Sequence, residues 1–350
     1  MPNPKSTIRN PKSADPVAQI FGGAKERMNS PLQATGFFEA HIRPRNQAWS
    51  FKGYEFLRGI IEDTSREIVI EKGAQLGFST YSLGIMLMHT MSGRKIGYYM
   101  PTASKMKTFT QDRFYPMVNA DQEMLHAVRE ADREEMASLF GQAARPLGRA
   151  ANVQLIHIGS GAVIFSGLQS ADDAKSWDMD GYILDESAEA SQKKDAQTGA
   201  TLVSFLQDRI MASDLKLQVE LSQPGIPGQD VDASFAESDQ KFWSFRCPTC
   251  KKWFALEEHF PACIFQRKDA KTQRRKGLDD VVVANSFAPE DEWVHGCPKC
   301  KREVRNPAGA FDPDIKWEWV AKRKSDRSGY HASQLFGAQM TATDVARRYA

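Results

Sequence analysis

Residues 68–80 have the composition of a phosphate-binding loop whose lysine stands in an unusual place. A β-branched run leads into a turn that contains Gly73 and Gly77, and an apolar helical stretch follows. This is the strand–loop–helix order that such a loop requires. In the common motif a lysine directly precedes the Ser or Thr. Here Phe78 occupies that position, and Lys72 stands at the first position of the motif instead.

The chemistry expected of this loop is the binding of ATP. Backbone N–H groups and the positive end of the following helix bind phosphate oxygens, and a lysine reaches the terminal phosphates. Ser79, or its neighbour Thr80, offers a hydroxyl to Mg²⁺. The predicted nucleotide-binding residues are Lys72, Gly73, Ala74, Gln75, Gly77, Phe78, Ser79 and Thr80. A turn with a purely structural role is the alternative.

An acidic pair follows the loop by about a hundred residues. The apolar segment Gly181–Leu184 is typical of a strand, and it ends in Asp185 and Glu186. At such a strand end we expect Asp185 to hold Mg²⁺ through water and Glu186 to polarise the attacking water. Two solvated carboxylates are the alternative for an isolated pair. The combination with the loop favours catalysis by Glu186 and Lys72.

A third element is the turn Ser222-Gln223-Pro224, which follows the predicted strand Leu217–Ser222. We interpret Ser222, Gln223 and Pro224 as a coupling turn that contacts the terminal phosphate or its water. A plain turn remains the alternative.

Two Cys-Pro-x-Cys pairs, separated by 46 residues, predict a metal site. Cys247, Cys250, Cys297 and Cys300 supply four thiolates, which suits a tetrahedral structural Zn²⁺. Four free buried cysteines would not explain the doubled spacing. Cys263 lies outside both pairs and is predicted to be a core thiol.

The net charge of +2 hides an asymmetry. Residues 241–330 carry 19 Lys and Arg against 13 Asp and Glu, whereas the remainder carries 27 against 31. Within the basic part, six basic residues fall in one stretch of ten: Arg267, Lys268, Lys271, Arg274, Arg275 and Lys276. We predict salt-sensitive contact of this stretch with DNA phosphates. A solvated loop without a partner is the alternative.

Short apolar segments alternate with amphipathic ones between residues 46 and 235, which predicts an α/β sheet with crossovers. The predicted strands are Glu67–Glu71, Arg94–Met100, Val153–Ile158, Ala162–Ser166, Gly181–Leu184 and Leu217–Ser222. The predicted helices are Pro16–Met28, Lys105–Asn119, Gln122–Gly141 and Thr341–Ala350. No apolar run approaches the ~20 residues that a membrane span needs, so no membrane contact is expected.

Taken together, these residues resemble the large subunit of a phage DNA-packaging terminase of the lambda-like branch. The matching stretches are Lys72–Thr80, Tyr99–Thr102, Phe109–Met117, Asp185–Glu186, Ser222–Pro224, Glu237–Gln240, the two cysteine pairs and Gly329–His331. The resemblance runs from about residue 45 to the C-terminus. It implies a P-loop ATPase sheet with helices on both faces and a zinc-ribbon insert. This branch carries its loop lysine at the position of Lys72, which accounts for Phe78.

The resemblance also implies a function. The implied function is a motor in the host cytoplasm that pumps double-stranded DNA through the prohead portal. Its implied cofactors are ATP, Mg²⁺ and Zn²⁺. A small terminase subunit and further copies in a homo-oligomeric ring are the implied partners. Tyr54 is a candidate for the adenine contact, with core packing as the alternative. Many terminases have an arginine where this chain has Gln75, so Arg113 or a neighbouring subunit is the candidate arginine finger.

The predicted organisation has four parts: an N-terminal arm (1–45), a motor domain (46–240), a zinc-ribbon module with the basic loop (241–320), and a linker helix towards a nuclease domain (321–350). No acidic cluster typical of that nuclease follows Trp319, so no endonuclease activity is expected of this chain. The competing hypothesis is a zinc-dependent nucleic-acid-binding or assembly module with a vestigial nucleotide site.

Overall fold

A computed structural model describes residues 31–129, 155–190, 192–267, 293–305, 311–337 and 340–349. In these ranges the chain forms a large, mostly parallel sheet that is flanked by helices. The strands are β1 (Glu67–Lys72), β2 (Lys95–Met100), β3 (Leu155–Ile158), β4 (Gly161–Gly167), β5 (Gly181–Asp185), β6 (Leu217–Ser222), β7 (Lys241–Arg246), β8 (Trp253–Ala255), β9 (Ile264–Gln266), β10 (Trp293–His295), β11 (Trp317–Ala321) and β12 (Ser328–Ala332). The helices are α1 (Pro31–His41), α2 (Phe56–Ile61), α3 (Phe78–Met91), α4 (Ala103–Phe109), α5 (Tyr115–Ala120), α6 (described over 122–129), α7 (Ala171–Lys175), α8 (Leu202–Arg209), α9 (Asp230–Glu237) and α10 (Ala342–Tyr349).

The sheet order places β1, β6 and β5 side by side, and the C-terminal ends of these three strands carry predicted site residues. The order is β11-β7-β12-β1-β6-β5-β2-β4-β3, with β8 beside β7. From β7 to β4 every neighbouring pair is parallel, and the antiparallel pairs lie at the two ends. Parallel strands covered by helices on both faces need apolar side chains on both faces. This explains why Ile68–Ile70 of β1, Ile96–Met100 of β2 and Gly181–Leu184 of β5 are buried apolar runs.

Two hydrophobic clusters cover the two faces of the sheet. The larger cluster contains side chains of α1, α2 and α3 together with Tyr98 of β2. The smaller cluster contains side chains of α7 and α8 together with the adjacent Tyr99. Successive residues of a strand point to opposite faces, so Tyr98 and Tyr99 enter different clusters. Among the described residues, no helix is long and apolar enough to cross a membrane.

The six predicted strands are confirmed, with ends that differ by two residues at most. The helix predicted over Lys105–Asn119 is instead α4 and α5, joined by a π-helical turn at Thr110–Phe114. The helix predicted to start at Gln122 does so, and its part beyond residue 129 lies outside the described residues. The predicted helix Pro16–Met28 also lies outside them. The C-terminal helix is observed as α10.

The predicted four-part division stays a prediction, and two of its parts are more closely tied to the sheet than expected. In the segment assigned to an arm, Phe38 of α1 and the following Ile42 are fully buried in the core. In the segment assigned to a linker, β12 pairs with β1 in parallel. β7 and β11, which bracket the cysteine pairs, also belong to the main sheet. α1 therefore packs in the core, and β12 is a strand of the main sheet.

The packing of α1 on α3 gives a testable prediction. A Cβ atom on Gly84 of α3 would come within 2.9 Å of three ring carbons of Phe38. Replacement of Gly84 by Ala should therefore destabilise the protein by about 1–3 kcal/mol, although Ala favours helices. Gly36→Ala in α1 is the matched control, because a Cβ there meets nothing within 4 Å. It should stabilise by about 0.5–1 kcal/mol. Equal effects of the two variants in chemical unfolding would contradict this packing.

Candidate functional site

The loop that follows β1 is held from one side by the segment that follows β12. The Gly73 N–H donates to the Ala332 carbonyl at 2.7 Å, and the Gln334 side-chain amide donates to the Ala74 carbonyl at 3.2 Å. A Cβ on Gly73 would lie 2.7 Å from Cγ of Gln334, so this close approach requires glycine. The loop ends at Gly77, which has a φ of +82° and caps α3.

The first turn of α3 separates side chains that face the core from those that do not. Phe78 is 3% exposed, and its ring packs on the rings of Phe56 and Tyr81, with centroids 6.2 and 6.0 Å away. Its phenyl group is therefore core, and only its backbone N–H is suited to a phosphate oxygen. Ser79 and Thr80 stay partly exposed, as a contact with Mg²⁺ or nucleotide would require. Gln75 is exposed at the tip of the loop.

Lys72 and Asp185 meet at the C-terminal edge of the sheet. The register places Glu71 opposite Ser222 and Leu221 opposite Asp185, so the ends of β1, β6 and β5 are neighbours. Across β6, the Lys72 ammonium lies 2.5 Å from Oδ1 of Asp185. Both side chains are at least 90% buried. The structure thus brings together the lysine and the acidic residue that the sequence analysis assigned to one site.

Asp185 has further partners on the same carboxylate. The Tyr98 hydroxyl donates to its Oδ2 at 2.8 Å, and the backbone N–H of Glu186 donates to its Oδ1 at 2.9 Å. Ser82 Oγ lies 2.8 Å from the Tyr98 hydroxyl. The sequence carries no local signal for Tyr98 or Ser82, because both reach the site through the packing of β2 and α3 beside β5.

Glu186 has a backbone conformation that non-glycine residues seldom adopt. Its φ is 60° and its ψ is 40°, in the left-handed region. Such conformations concentrate at functional sites, where the surroundings impose them. The side chain is 45% exposed, and its Oε2 lies 3.7 Å from the Lys105 ammonium. The Glu186 carboxylate is therefore accessible to water beside Asp185.

The predicted coupling turn connects β6 to the acidic turn. The Ser222 hydroxyl is buried and accepts a hydrogen bond from the Ala188 N–H at 3.2 Å. Gln223 and Pro224 are exposed and line a cavity of about 550 Å³. Lys72 lines the same cavity, so the turn and the loop share one open space.

This cavity is large enough for a nucleotide, since ligand pockets commonly measure about 300–1,000 Å³. The loop residues from Lys72 to Ala74 line one part of it, and apolar side chains such as Phe260 and Met340 line another. Tyr54 is not among the residues that line this cavity. Its ring packs on Trp49, with centroids 5.3 Å apart, and a Cβ on Gly77 would lie 3.1 Å from it. The adenine contact of Tyr54 remains a prediction, and core packing agrees better with its surroundings.

A buried cluster of charged groups also borders the cavity. Nδ1 of His331 lies 3.4 Å from Oε1 of Glu257, and its Nε2 lies 3.8 Å from Oε2 of Glu71. Burial raises the pKa of Glu71 to about 7 and raises the pKa of Glu257, and both carboxylates raise the pKa of His331 against the effect of its burial. The sequence analysis missed this cluster, although Gly329–His331 was among the matching stretches.

The four paired cysteines converge. Their sulfur atoms all lie within 4.8 Å of one another, with Sγ of Cys247 3.5 Å from Cys300 and Sγ of Cys297 3.9 Å from Cys250. The two pairs have the same backbone turn: the Cys247 carbonyl accepts from the N–H of Lys251 at 2.8 Å, and the Cys297 carbonyl accepts from the N–H of Lys301 at 2.9 Å. Both lysines have positive φ. Cys263 stays outside the cluster and donates to the Leu256 carbonyl.

These cysteines fit a structural Zn²⁺. Four sulfurs at about 2.3 Å from a central ion, in a tetrahedron, would be separated by distances close to those found here. Burial raises the pKa of Cys250 to about 11 and raises that of Cys297, so these two thiols need a cation to be deprotonated at neutral pH, whereas hydrogen bonds outweigh burial and lower the pKa of Cys300. The four residues could hold Zn²⁺ with no ligand from elsewhere in the chain.

The predicted DNA-contact residues are only partly described. Arg267 is 2% exposed, and its guanidinium donates two hydrogen bonds to the carboxylate of Glu303, at 2.9 and 2.8 Å. Its assignment to phosphate contact was wrong, because the side chain is buried and neutralised beside β9. Lys268, Lys271, Arg274, Arg275 and Lys276 lie outside the described residues. Arg113 is exposed on the π-helical turn, and its finger role remains a prediction.

The fold and the site define an α/β protein with a phosphate-binding loop, to which a four-cysteine module is joined. The family described as "Phage terminase large subunit gpA, ATPase domain" matches residues 47–306. This match spans well over half of the sequence, and the chain belongs to that family. The resemblance inferred from the motifs is thereby confirmed, and membership supports an ATPase role in phage DNA packaging.

Two further comparisons complete the findings. A solved structure of a mutant Thermus Phage P74-26 large terminase ATPase domain is similar over 84% of each chain, at 14% sequence identity and a TM-score of 0.37. A search of curated protein sequences finds no match.

The cysteine cluster predicts a metal content. The purified chain should contain about one equivalent of zinc, and Cys297→Ser should lose it together with thermal stability, because three thiolates bind the ion more weakly than four. Cys263→Ser is the matched control: it removes a buried thiol outside the cluster and should retain the metal. Metal analysis of the three proteins, with unfolding temperatures, checks this. Folded wild-type protein without zinc would contradict the site.

The buried cluster around Glu71 predicts a pH dependence of stability. Because the folded state raises the pKa of Glu71 from 4.5 to about 7, its stabilising effect is present at low pH and declines as the pH rises through 7. The raised pKa of His331 acts in the same direction, with loss above its ordinary value of 6.5. Between pH 6 and 8 the unfolding temperature should therefore fall less in Glu71→Gln than in wild type. Glu237→Gln, an exposed carboxylate, is the control. Parallel profiles of all three proteins would contradict the effect.

Proposed function

We propose that this chain is the ATP-hydrolysing motor of a viral DNA-packaging terminase, which couples ATP hydrolysis to the translocation of double-stranded DNA into a prohead. The observation that carries the proposal is the meeting of Lys72 and Asp185, 2.5 Å apart, at the end of a phosphate-binding loop. Family membership supplies the biological setting of this chemistry.

Each residue of the site has a proposed role. The loop N–H groups and the start of α3 bind the phosphates, and the Lys72 ammonium leaves Asp185 to neutralise the terminal phosphates. Ser79 and Asp185 would hold Mg²⁺, which supplies charge neutralisation when bound. Glu186, whose carboxylate is exposed to solvent next to Asp185, orients and polarises the attacking water. Gln223, beside Lys72 in the cavity, contacts the terminal phosphate.

The coupling role of Ser222 has a physical basis in its hydrogen bond with Ala188. Ala188 follows Glu186 by two residues, so a movement of β6 is passed to the turn that holds the catalytic carboxylate. The neighbouring Gln223 and Pro224 would sense whether a terminal phosphate is present. A change of phosphate state could thus be converted into movement of the coupling turn.

The proposed partners follow from the family. They are double-stranded DNA, the prohead portal, a small terminase subunit and further copies of the chain in a ring, in the host cytoplasm. The arginine that stabilises the transition state would come from Arg113 or from a neighbouring copy. The competing function, a zinc-dependent nucleic-acid-binding module without turnover, shares the cysteine cluster and differs at the nucleotide site.

The proposal predicts ATP hydrolysis that requires Mg²⁺ and depends on two residues. Glu186→Gln should lower the rate by about 10²–10⁴-fold, because it removes the group that polarises water. Lys72→Ala should reduce the rate by about 10²-fold or more, because it removes the cation at the transferred phosphoryl group. The measurement is a steady-state ATPase assay with and without linear double-stranded DNA.

Glu189→Gln is the matched control for Glu186→Gln. Its carboxylate is exposed and lies 2.6 Å from the same Lys105 ammonium, and its loss should leave the rate within about two-fold. Full activity of Glu186→Gln and Lys72→Ala would refute the motor. Nucleotide binding without turnover in wild type, with DNA binding that survives loss of Lys72, would support the competing module.

A further inference from the structure

We infer that Tyr98 and Ser82 form a buried brace that fixes the two residues expected to hold Mg²⁺, Asp185 and Ser79, relative to each other. Tyr98 is the positioning residue of this brace. The inference rests on the proposed function, since it concerns the metal that accompanies the nucleotide. Neither residue belongs to the loop, the acidic pair or the coupling turn.

The hydrogen bonds of the brace run continuously from one candidate metal ligand to the other. The Tyr98 hydroxyl is 2.8 Å from Oδ2 of Asp185 and 2.8 Å from Oγ of Ser82. Ser82 Oγ is in turn 3.2 Å from the backbone carbonyl of Ser79, one helical turn earlier on α3. Because an ionised carboxylate can only accept, Tyr98 directs its proton to Asp185. The Tyr98 oxygen then accepts from Ser82, whose single proton is shared between this oxygen and the Ser79 carbonyl.

The tyrosine is held in one position by its surroundings. Its side chain is fully buried, and its ring stacks on Phe109 with centroids 4.7 Å apart and an angle of 25° between the planes. The ring of Phe165 lies 6.1 Å away. A tyrosine hydroxyl keeps its proton at neutral pH, so it is available as a donor to Asp185.

The brace matters most when nucleotide binds. In the present structure Lys72 and Tyr98 occupy opposite oxygens of Asp185. If the Lys72 ammonium moves to the phosphates, Tyr98 remains as a side-chain donor to Oδ2, and Oδ1 would be available to a metal. Without Tyr98 the carboxylate could rotate, and its pairing with Lys72 would compete with the metal. Partners that orient metal ligands typically contribute about 10–100-fold to metal affinity.

The chain offers a matched control on the adjacent residue. Tyr99 is also fully buried on β2, but it faces the other side of the sheet, where its hydroxyl contacts Sδ of Met179 at 3.7 Å. Tyr98→Phe and Tyr99→Phe therefore each remove one buried hydroxyl from neighbouring positions of the same strand. Only the first removes a hydrogen bond to Asp185.

The test measures the affinity of each protein for a non-hydrolysable ATP analogue, once with Mg²⁺ and once with EDTA. The ratio of the two affinities reports the metal contribution, which a general loss of stability would not change. We expect Tyr98→Phe to reduce this ratio about ten-fold and Tyr99→Phe to leave it unchanged. Ser82→Ala, which keeps the tyrosine but removes its support, should reduce the ratio about three-fold. Unfolding temperatures establish that the variants are folded.

The outcomes separate this inference from the proposed function. An unchanged ratio in Tyr98→Phe, or equal ratios in the Tyr98 and Tyr99 variants, overturns the brace even if wild type hydrolyses ATP. The absence of any Mg²⁺-dependent gain in wild type overturns it as well. Conversely, a ten-fold lower affinity ratio in Tyr98→Phe supports the brace. If wild type shows the Mg²⁺-dependent gain but does not hydrolyse ATP, only the motor is refuted.

Discussion

The ion pair between Lys72 and Asp185 imposes the strictest requirement on the fold. Both charges are at least 90% buried, and removing one partner of such a pair typically costs about 3–5 kcal/mol. The two residues sit on β1 and β5, with β6 between them, so a side chain must span two strand spacings of about 4.8 Å each. The extended lysine stem crosses this gap. The strand order and the long side chain at the end of β1 therefore depend on each other.

The loop beside this ion pair must also be held in place. The residues that hold it are distant from it in the sequence. After the cysteine module the chain returns as β12 beside β1, and Gln334 then contacts Ala74 of the loop. Arg305, just beyond the second cysteine pair, is fully buried and donates to the carbonyls of Leu335 and Gly337 at 2.6 and 3.0 Å. Its pKa is lowered to about 10 by burial, so it stays charged at neutral pH. The four-cysteine cluster is thus connected through Arg305 to the segment that supports the phosphate loop.

Features encoded by neighbouring residues could be predicted from the sequence, whereas features made by distant packing could not. The end of β1 at Lys72 and the convergence of the cysteines follow from local composition and spacing. β12 was missed because Ser-Gly-Tyr-His-Ala is short and mixed in polarity, and it is buried only because β1 and β7 flank it. Tyr98 was missed because its role depends on the pairing of β2 with β5, which local composition does not reveal. Arg267 was misassigned because its partner, the half-buried Glu303, lies on the far side of the basic stretch in the sequence.

The unusual position of the lysine is explained by the cost of burying a charge that has no partner. At the position where the common motif has lysine, this chain has Phe78, which packs against the rings of Phe56 and Tyr81. A charge on that side chain would be removed from water among aromatic rings, which is costly without a partner. At the end of β1, by contrast, the ammonium finds Asp185, and the loop leaves it facing the cavity that Gln223 shares. The aromatic residue at position 78 anchors α3 to α2, and in the proposed function Lys72 supplies the charge from the opposite end of the loop. Phe78 and Lys72 therefore have one common explanation. Phe78 packs in the core at the start of α3, and Lys72 carries the charge at the end of β1, where Asp185 pairs with it.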